Sequence, residues 1–459
     1  MTSDDRPAWL DDDPGPQEYG GPHRDHGSNR PRYNDLPWMA DVPFLRDTHR
    51  RIMARRQNVF LTLKHDPALA GFVGFDEIAQ RVMLRRPVPV DEESTSEVGF
   101  PRPFDAVQLS RLQRYFEKND SLPRIGANEI RGAVEDFAHR ARFNALADYV
   151  NGLKHDGVMR MHRLFEHYFS CSHDGPRTES GDSFYLVNLS IWFMTGLVRR
   201  ALQPGCKNDY VVILSGKQGL RKSTGLRAIV GDRWFSENMP PMALMDRDPK
   251  RFYDAWRGAW LIEFGEGKVV RDADPDDLRD FLTRRTDKFK PAYAADDVSL
   301  PRTSVFAVTR NPEDGEGFLK DTTGNRRYWP VDVSAMVKTD LIERDREQLI
   351  AEAVTHVRFA EQYNCGDLPF YPDDVFEKTY LEPLQEDLMV RNGFDEIVAE
   401  FLDDYAKNRL KAGEIMRASG RNSASPNDRI EVGKALLRTG QWKRAESANG
   451  GYVRIKNRE

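Results

Sequence analysis

Four kinds of side chain recur in this sequence at places that suit phosphate chemistry: a lysine after a glycine loop, carboxylates closing a strand, a strand-terminal amide and paired arginines. The lysine lies in Tyr210-Val-Val-Ile-Leu-Ser-Gly-Lys-Gln-Gly-Leu-Arg-Lys-Ser-Thr-Gly-Leu226. Gly216 and Gly219 let backbone N–H groups approach phosphate oxygens, and a helix opening at Lys222 adds the favourable partial charge of its N-terminus. Gly216, Lys217, Gln218, Gly219, Leu220, Arg221, Lys222, Ser223 and Thr224 would then form a loop for the phosphates of ATP. The Lys222 ammonium would pair with the β- and γ-phosphates, and the Ser223 hydroxyl would hold Mg²⁺. Arg221 stands where the G-x-x-x-x-G-K-[ST] pattern has its second glycine. A glycine there adopts positive φ freely and an arginine does not, so either φ stays negative at Arg221 or the loop is degraded. The plain alternative is a strand-to-helix turn that carries Lys-Ser by coincidence.

Downstream, Trp256-Arg-Gly-Ala-Trp-Leu-Ile-Glu-Phe-Gly-Glu266 ends an apolar run in Glu263, with Glu266 three residues on. One carboxylate at the end of a parallel strand can join the Mg²⁺ shell and a second can polarise an attacking water. Glu263 and Glu266 fit those roles in either order, with Glu263 taken beside Ser223 as the metal ligand. Arg302-Thr-Ser-Val-Phe-Ala-Val-Thr-Arg-Asn311 is a third strand, whose polar end, Thr309 or Asn311, could sense the γ-phosphate or orient water. Arg326 and Arg327, in a glycine-containing loop, are candidates for an arginine finger acting on a neighbour's nucleotide. Two arginines alone are more often a surface patch, and two acids more often a solvated strand edge.

These groups need a frame. Tyr210 to Leu214 is β-branched and apolar, short enough for a buried strand. Ala259 to Ile262 and the run after Arg302 read likewise, and residues 184–200 as a helix whose end at Arg199-Arg200 suits its negative pole. Upstream, residues 1–40 read as a disordered tail rich in Asp, Pro, Gly and Arg. Residues 41–157 read as a mostly helical domain: helical spacing at 58–64, a turn and short strand to Phe75, Asp76 capping a helix Glu77–Leu84, and helices near 108–117 and 127–141. Hydrophobic content of 39% and charged content of 31% suit a chain with a real core. No apolar run reaches a membrane span, and the acidic start is unlike a signal peptide. Three scattered cysteines, Cys171, Cys206 and Cys365, offer neither a zinc pattern nor a disulfide framework, so a reducing cytoplasm is expected.

Charge divides the C-terminal part. Residues 340–404 carry 18 acids against 5 bases, and residues 405–459 carry 13 bases against 5 acids. The first stretch reads as acidic helices at 341–361 and 394–406. The second reads as two helices (Ala412–Ser419 and Asn427–Thr439) and a terminal β-ribbon, similar to a winged helix, whose charge suits a nucleic-acid backbone. Between the second and third strands, Arg284, Arg285, Lys288 and Lys290 interleave with Phe281, Phe289 and Tyr293. Basic groups there can follow phosphates while Tyr293 stacks on a base. A basic surface helix is the plain alternative.

Taken in order, Gly-Lys-Gln-Gly-Leu-Arg-Lys-Ser-Thr, Trp-Leu-Ile-Glu-Phe-Gly-Glu, Phe-Leu-Thr-Arg-Arg-Thr-Asp-Lys-Phe-Lys-Pro-Ala-Tyr and Thr-Gly-Asn-Arg-Arg-Tyr-Trp-Pro resemble the virulence-associated protein E family. Its core is similar to superfamily 3 helicases, ATPases of phages and mobile elements. The resemblance implies an α/β fold with a P-loop, AAA+-like three-layer core over 158–335. A helical N-terminal domain, an acidic helical segment (336–404) and a winged-helix-like domain (405–459) would flank it. It also implies a DNA helicase or translocase that uses ATP and Mg²⁺ and assembles as a ring, expected to be a hexamer. Single-stranded DNA would lie in the pore, on a hairpin at 281–293, and the C-terminus would suit an origin duplex. Arg221 and the Glu-x-x-Glu spacing depart from the pattern and bear on hydrolysis. They leave a second reading open, a DNA-binding regulator that uses nucleotide only as a switch.

Overall fold

The computed structural model describes residues 37–90, 99–118, 122, 124–289, 298–311, 319, 325–363, 370–389, 393–403, 405–420, 425–439, 441–445 and 451–455. The expected tail lies outside the described residues up to 36, while Pro37–Met39 forms a 3-10 turn that buries Met39. In the N-terminal unit, strands β1 (Val73–Asp76), β2 (Arg81–Leu84), β3 (Arg102–Pro103) and β4 (Arg142–Phe143) form one sheet in the order β3-β2-β1-β4. Helices Arg56–His65, Ala106–Lys118 and Ala127–Arg140 pack their apolar stripes with it, around Val59, Leu112 and Val134. This corrects the expected helix over Glu77–Leu84, and adds a four-stranded sheet to a unit whose helices still hold more residues than its strands. Asp76 ends β1, and its Oδ1 accepts from the Ile78 N–H at 3.0 Å. That side chain stabilises a tight turn rather than a helix start. The chain then runs back antiparallel, with Val73 opposite Leu84.

The central unit is built on a six-stranded sheet in the order β5-β12-β6-β11-β8-β7. Its strands are β5 (Cys171–Ser172), β6 (Val211–Ser215), β7 (Phe235–Ser236), β8 (Leu261–Phe264), β11 (Val305–Arg310) and β12 (Tyr328–Val333). All are parallel except β5, which pairs antiparallel with β12 at one edge. A hairpin of β9 (Thr286–Phe289) and β10 (Val298–Pro301) stands between β8 and β11 in the chain. Strand β6 is buried along its whole length, as an unbroken apolar run in a parallel sheet must be. Its Val212 and Leu214 face helices Phe184–Leu202, Lys222–Val230 and Thr339–Gln362. Val211 and Ile213 face Phe252, Leu278 and Phe281 from helices Pro249–Asp254 and Pro275–Thr283. Two large polar tips in this core are satisfied: Trp260 Nε1 donates to Leu197 O at 2.8 Å and Tyr185 OH to Pro330 O at 2.6 Å.

Packing draws the borders differently from charge. Ala145, Leu146 and Val150 of helix Ala145–Gly152 join the central core, so that core begins before residue 158. The acidic helix Thr339–Gln362 turns Ile342, Leu349 and Val354 into the same core and is no separate segment. Helix Gly393–Asp403 instead closes the C-terminal unit through Val398. That unit continues through β13 (Arg409–Leu410), helices Ala412–Ala418 and Pro426–Arg438, β14 (Trp442–Arg444) and β15 (Tyr452–Arg454). Its sheet is antiparallel in the order β13-β15-β14 and covers Ile415, Leu436 and Trp442. Among the described residues, no helix is long and apolar enough to cross a membrane.

Candidate functional site

Parallel strands release their chains at one edge of the sheet, and that edge is where loops can gather polar groups. Strand β6 ends at Ser215, and residues 216–221 turn into helix Lys222–Val230. Gly216 is required by a close approach, because a Cβ there would lie 2.6 Å from Val333 O. Gly219 takes φ +85°. Arg221 takes φ 63° and ψ 32° in the left-handed region, so of the two possibilities posed for this position the negative φ is the one that fails. The loop keeps the glycine geometry with an arginine in it, at a cost of ~1 kcal/mol. No side chain caps the helix that follows, which leaves its first N–H groups directed at whatever fills the loop.

Lys222 is 7% exposed. Its Nζ donates to Gly216 O at 2.5 Å, to Lys217 O at 2.9 Å and to Asn311 Oδ1 at 3.1 Å. Burial pushes its pKa down, and the nearby Glu263 carboxylate opposes that shift. One residue on, Ser223 Oγ donates to Glu263 Oε1 at 2.6 Å. Thr309 Oγ1 donates to the same oxygen from β11. Glu263 lies inside β8 rather than after it and is 2% exposed. Its second oxygen, Oε2, is buried without a hydrogen-bond partner.

A buried carboxylate oxygen left open beside a serine hydroxyl is an expensive arrangement unless a cation completes it. Its donor set is a carboxylate and a hydroxyl at the glycine loop, which is the oxygen chemistry Mg²⁺ takes, with the rest of its shell filled by water and phosphate. The residues present therefore fit that ion. Thr309 was legible only as one option for a strand-end sensor. Its bond to Glu263 makes it part of the same cluster, and the alternation along β11 puts Thr309 and Asn311 on one face.

The other expected residues fall elsewhere. Glu266 is exposed in a turn after β8, at φ 54°, and takes no part in the hydrogen bonds around Glu263. Arg326 and Arg327 sit in the 3-10 turn Asn325–Arg327 before β12. Tyr328 pairs with Val211 and Asp332 with Ser215, so both arginines lie at the far end of the strands, roughly 17 Å from the loop at ~3.3 Å per residue. Arg327 is 8% exposed and its Nε lies 3.5 Å from Asp209 Oδ2. Arg326 is exposed, near Glu377.

In the basic segment, β9 alternates in burial: Thr286 and Lys288 face outward, Asp287 and Phe289 inward. Arg285 is exposed, while Arg284 Nη1 reaches Tyr253 OH at 3.3 Å. Lys290 and Tyr293 lie outside the described residues. The hairpin's base is locked, for Arg302 donates to both oxygens of buried Asp287, at 2.9 and 2.5 Å, and to Phe281 O at 2.6 Å. Arg302 also leads directly into β11, the strand that ends in Thr309 and Asn311.

A family model described as the virulence-associated protein E-like domain matches residues 150–379, half of the chain and the whole of this cluster. No curated protein matches the sequence. Among solved structures, the A-form apo structure of the NrS-1 C-terminal region is similar at a TM-score of 0.42 and 13% identity, covering 88% of this chain and 100% of that one. A further apo structure of the same region gives a TM-score of 0.39 at 13% identity, covering 84% of this chain and 96% of that one.

Proposed function

The chain belongs to the virulence-associated protein E-like family, and we propose that it is a Mg²⁺-dependent ATPase that moves or unwinds DNA in the replication of a phage or other mobile element. The observation that carries this reading is Glu263: one oxygen held by Ser223 and Thr309, the other buried and open beside the phosphate loop. Ser223 and Glu263 would hold the ion, which when bound neutralises phosphate charge. Lys222, now folded onto the carbonyls of Gly216 and Lys217, would swing to the β- and γ-phosphates, and Asn311 would follow it to sense the terminal group. Glu266 is left for positioning water. Five parallel strands between two helical layers support an AAA+-type P-loop core similar to superfamily 3 helicases.

The same reading extends to assembly. Arg326, exposed and remote from its own loop, would act on a neighbouring subunit, which supports reading the assembly as a ring and, by resemblance, a hexamer. Arg284, Arg285, Lys288, Lys290 and Tyr293 would face single-stranded DNA in the pore. The C-terminal unit, helix-strand-helix-helix-strand-strand with exposed Lys411, Arg417, Lys443 and Arg444, is read as a winged helix for duplex DNA.

The strained Arg221 and the outlying Glu266 favour the second reading, a nucleotide-switched DNA-binding regulator with little hydrolysis. One pair of measurements decides between them: ATP turnover with and without single-stranded DNA, and nucleotide affinity with and without Mg²⁺. DNA-stimulated turnover is expected. Affinity should depend on Mg²⁺ in the native chain and lose that dependence in Glu263→Gln. Tight Mg²⁺-dependent binding with no turnover would leave the regulator. Affinity indifferent to Mg²⁺ in both chains would sink the ion site.

A further inference from the structure

The N-terminal unit carries a charged loop that neither the nucleotide site nor the hairpin uses. Residues 45–56 read Leu-Arg-Asp-Thr-His-Arg-Arg-Ile-Met-Ala-Arg-Arg, with five arginines. Such a run is ordinarily a loose solvated stretch, and here it is tightly built. Arg46 bridges Ile52 antiparallel, Asp47 N donates to Arg51 O at 2.9 Å, and Met53 N donates to Leu45 O at 3.0 Å. The Asp47 carboxylate is turned inward onto the loop, accepting from the His49 and Arg51 N–H groups at 2.9 and 2.8 Å. Arg46 Nη1 donates to Arg50 O at 2.9 Å, and Arg50 itself is left-handed at φ 62°.

Beneath the loop, Asn58 is fully buried and commits both of its amide protons and its oxygen to the loop's backbone. Its Oδ1 accepts from Leu45 N, and its Nδ2 donates to Leu45 O and Met53 O, each at 2.8 Å. A buried amide committed in this way fixes a loop at a real cost in polar desolvation and backbone strain. What the loop presents is charge. Arg50, Arg51 and Arg55 are exposed, and among the described residues no carboxylate pairs with them, in contrast to Arg56, whose Nη2 lies 2.6 Å from Asp136 Oδ2. Leu45 is the one apolar side chain exposed on it, and a protein partner would want buried aromatic or aliphatic anchors.

We propose that the 45–55 loop is a preformed binding site for the phosphate backbone of a nucleic acid, separate from the hairpin and from the C-terminal unit. Guanidinium groups pair with phosphate oxygens through charge-assisted, often bidentate bonds. A loop already held in shape loses little freedom on binding. Each phosphate it neutralises adds ~0.9 to the salt slope of log affinity on duplex DNA and ~0.7 on a single strand.

The test uses the full chain without nucleotide, a labelled single strand and the matching duplex, and binding measured across a salt series. The triple variant Arg50→Ser/Arg51→Ser/Arg55→Ser should flatten the slope by about 2–3 units on the nucleic acid it serves. The triple lysine variant at the same positions should keep the slope, and ATP turnover without DNA should be unchanged in both. Flattening confined to one probe assigns the site to single strand or duplex. Arg55→Ser alone, outside the turn, should remove just under one unit and serves if the triple serine variant melts early. Slopes unchanged on both probes in folded variants would overturn the proposal. So would a change in oligomer size with DNA binding intact, because the loop would then meet an acidic surface of another copy.

Discussion

The two ends of the central sheet treat their polar residues in opposite ways. At the end where β6, β8 and β11 release their chains, Lys222, Ser223, Glu263, Thr309 and Asn311 bond chiefly to one another, and one oxygen of Glu263 stays open. At the other end an ion pair and stacked rings line the start of the strands, although Asp209 Oδ1 and Trp329 Nε1 are also buried there without a hydrogen-bond partner. Arg327 meets Asp209, Tyr210 stacks on Trp329 at 4.7 Å, and Lys207 lies 4.5 Å over Tyr371. Arg326 there faces outward. A hydrogen-bonded lysine, serine and carboxylate mark one end, and a buried ion pair with stacked rings marks the other, where Arg326 is exposed. On the proposed reading, a lone subunit would hold the groups for a nucleotide and keep exposed Arg326 out of reach of them.

The largest effect should come from breaking that division across two subunits. Arg326→Ala should leave melting unchanged and lower turnover by on the order of 10³-fold, the lower range for an arginine finger. Mixing it with Glu263→Gln should restore part of the activity in mixed oligomers. Arg327→Ala should do the reverse, lowering stability by about 3 kcal/mol because Asp209 is left as an uncompensated buried charge. Turnover per folded molecule should hardly change. If Arg327→Ala kills turnover in a folded chain while Arg326→Ala does not, the two ends have been misassigned.

At the ligand end, Lys222→Ala should lower turnover by on the order of 10²–10³-fold, as loss of a preorganised electrostatic group does, with the fold retained by circular dichroism. Normal turnover in that variant would remove the loop from the chemistry altogether.

How much of this was legible in the sequence depends on whether local chemistry or long-range packing decides the element. Val211–Ser215 and the helix opening at Lys222 are stated by an apolar run and a glycine loop, and the strands that carry Glu263 and lead to Asn311 follow from the same kind of signal, although β8 runs on past Glu263 to Phe264. Residues 77–84 misled, because Asp76 can cap a helix or brace a turn, and pairing of β1 with β2 decides between them. Arg221 left two outcomes open, because residue preference argues for negative φ, while the loop's path between β6 and its helix takes the opposite sign. Arg327 looked equivalent to Arg326 because Asp209 is remote in sequence and adjacent only in the fold. The 45–55 loop escaped notice altogether, since composition shows its arginines and only the structure shows Asn58 holding them.

Arg221 sharpens the comparison from within the ligand end. Arg221→Gly removes the left-handed penalty, worth ~1 kcal/mol, but also frees the unfolded chain, which takes back part of that gain. A net rise in stability of a few tenths to ~1 kcal/mol by denaturant titration is expected. Turnover should rise or hold. A fall would mean that the Arg221 side chain itself touches the nucleotide, and that the strain is kept for that contact.

The smallest effect concerns whether the two ends communicate with the hairpin. Lys288 faces outward from β9, paired in register with exposed Ser299. The hairpin's base is fixed through the Asp287–Arg302 pair to the start of β11. A strand pulling on Lys288 would load β11, which leads to Thr309 and Asn311, so DNA contact at the hairpin and the proposed nucleotide site would share one rigid element. Lys288→Ala should lower the single-strand salt slope by at most ~0.7 per engaged subunit. It should also weaken the stimulation of turnover by DNA and leave basal turnover alone. The loss of stimulation is the informative half, because the 45–55 loop and the C-terminal unit could supply slope without touching β11. If Lys288→Ala trims the slope and stimulation persists, the hairpin binds DNA without reporting it, and the coupling runs elsewhere.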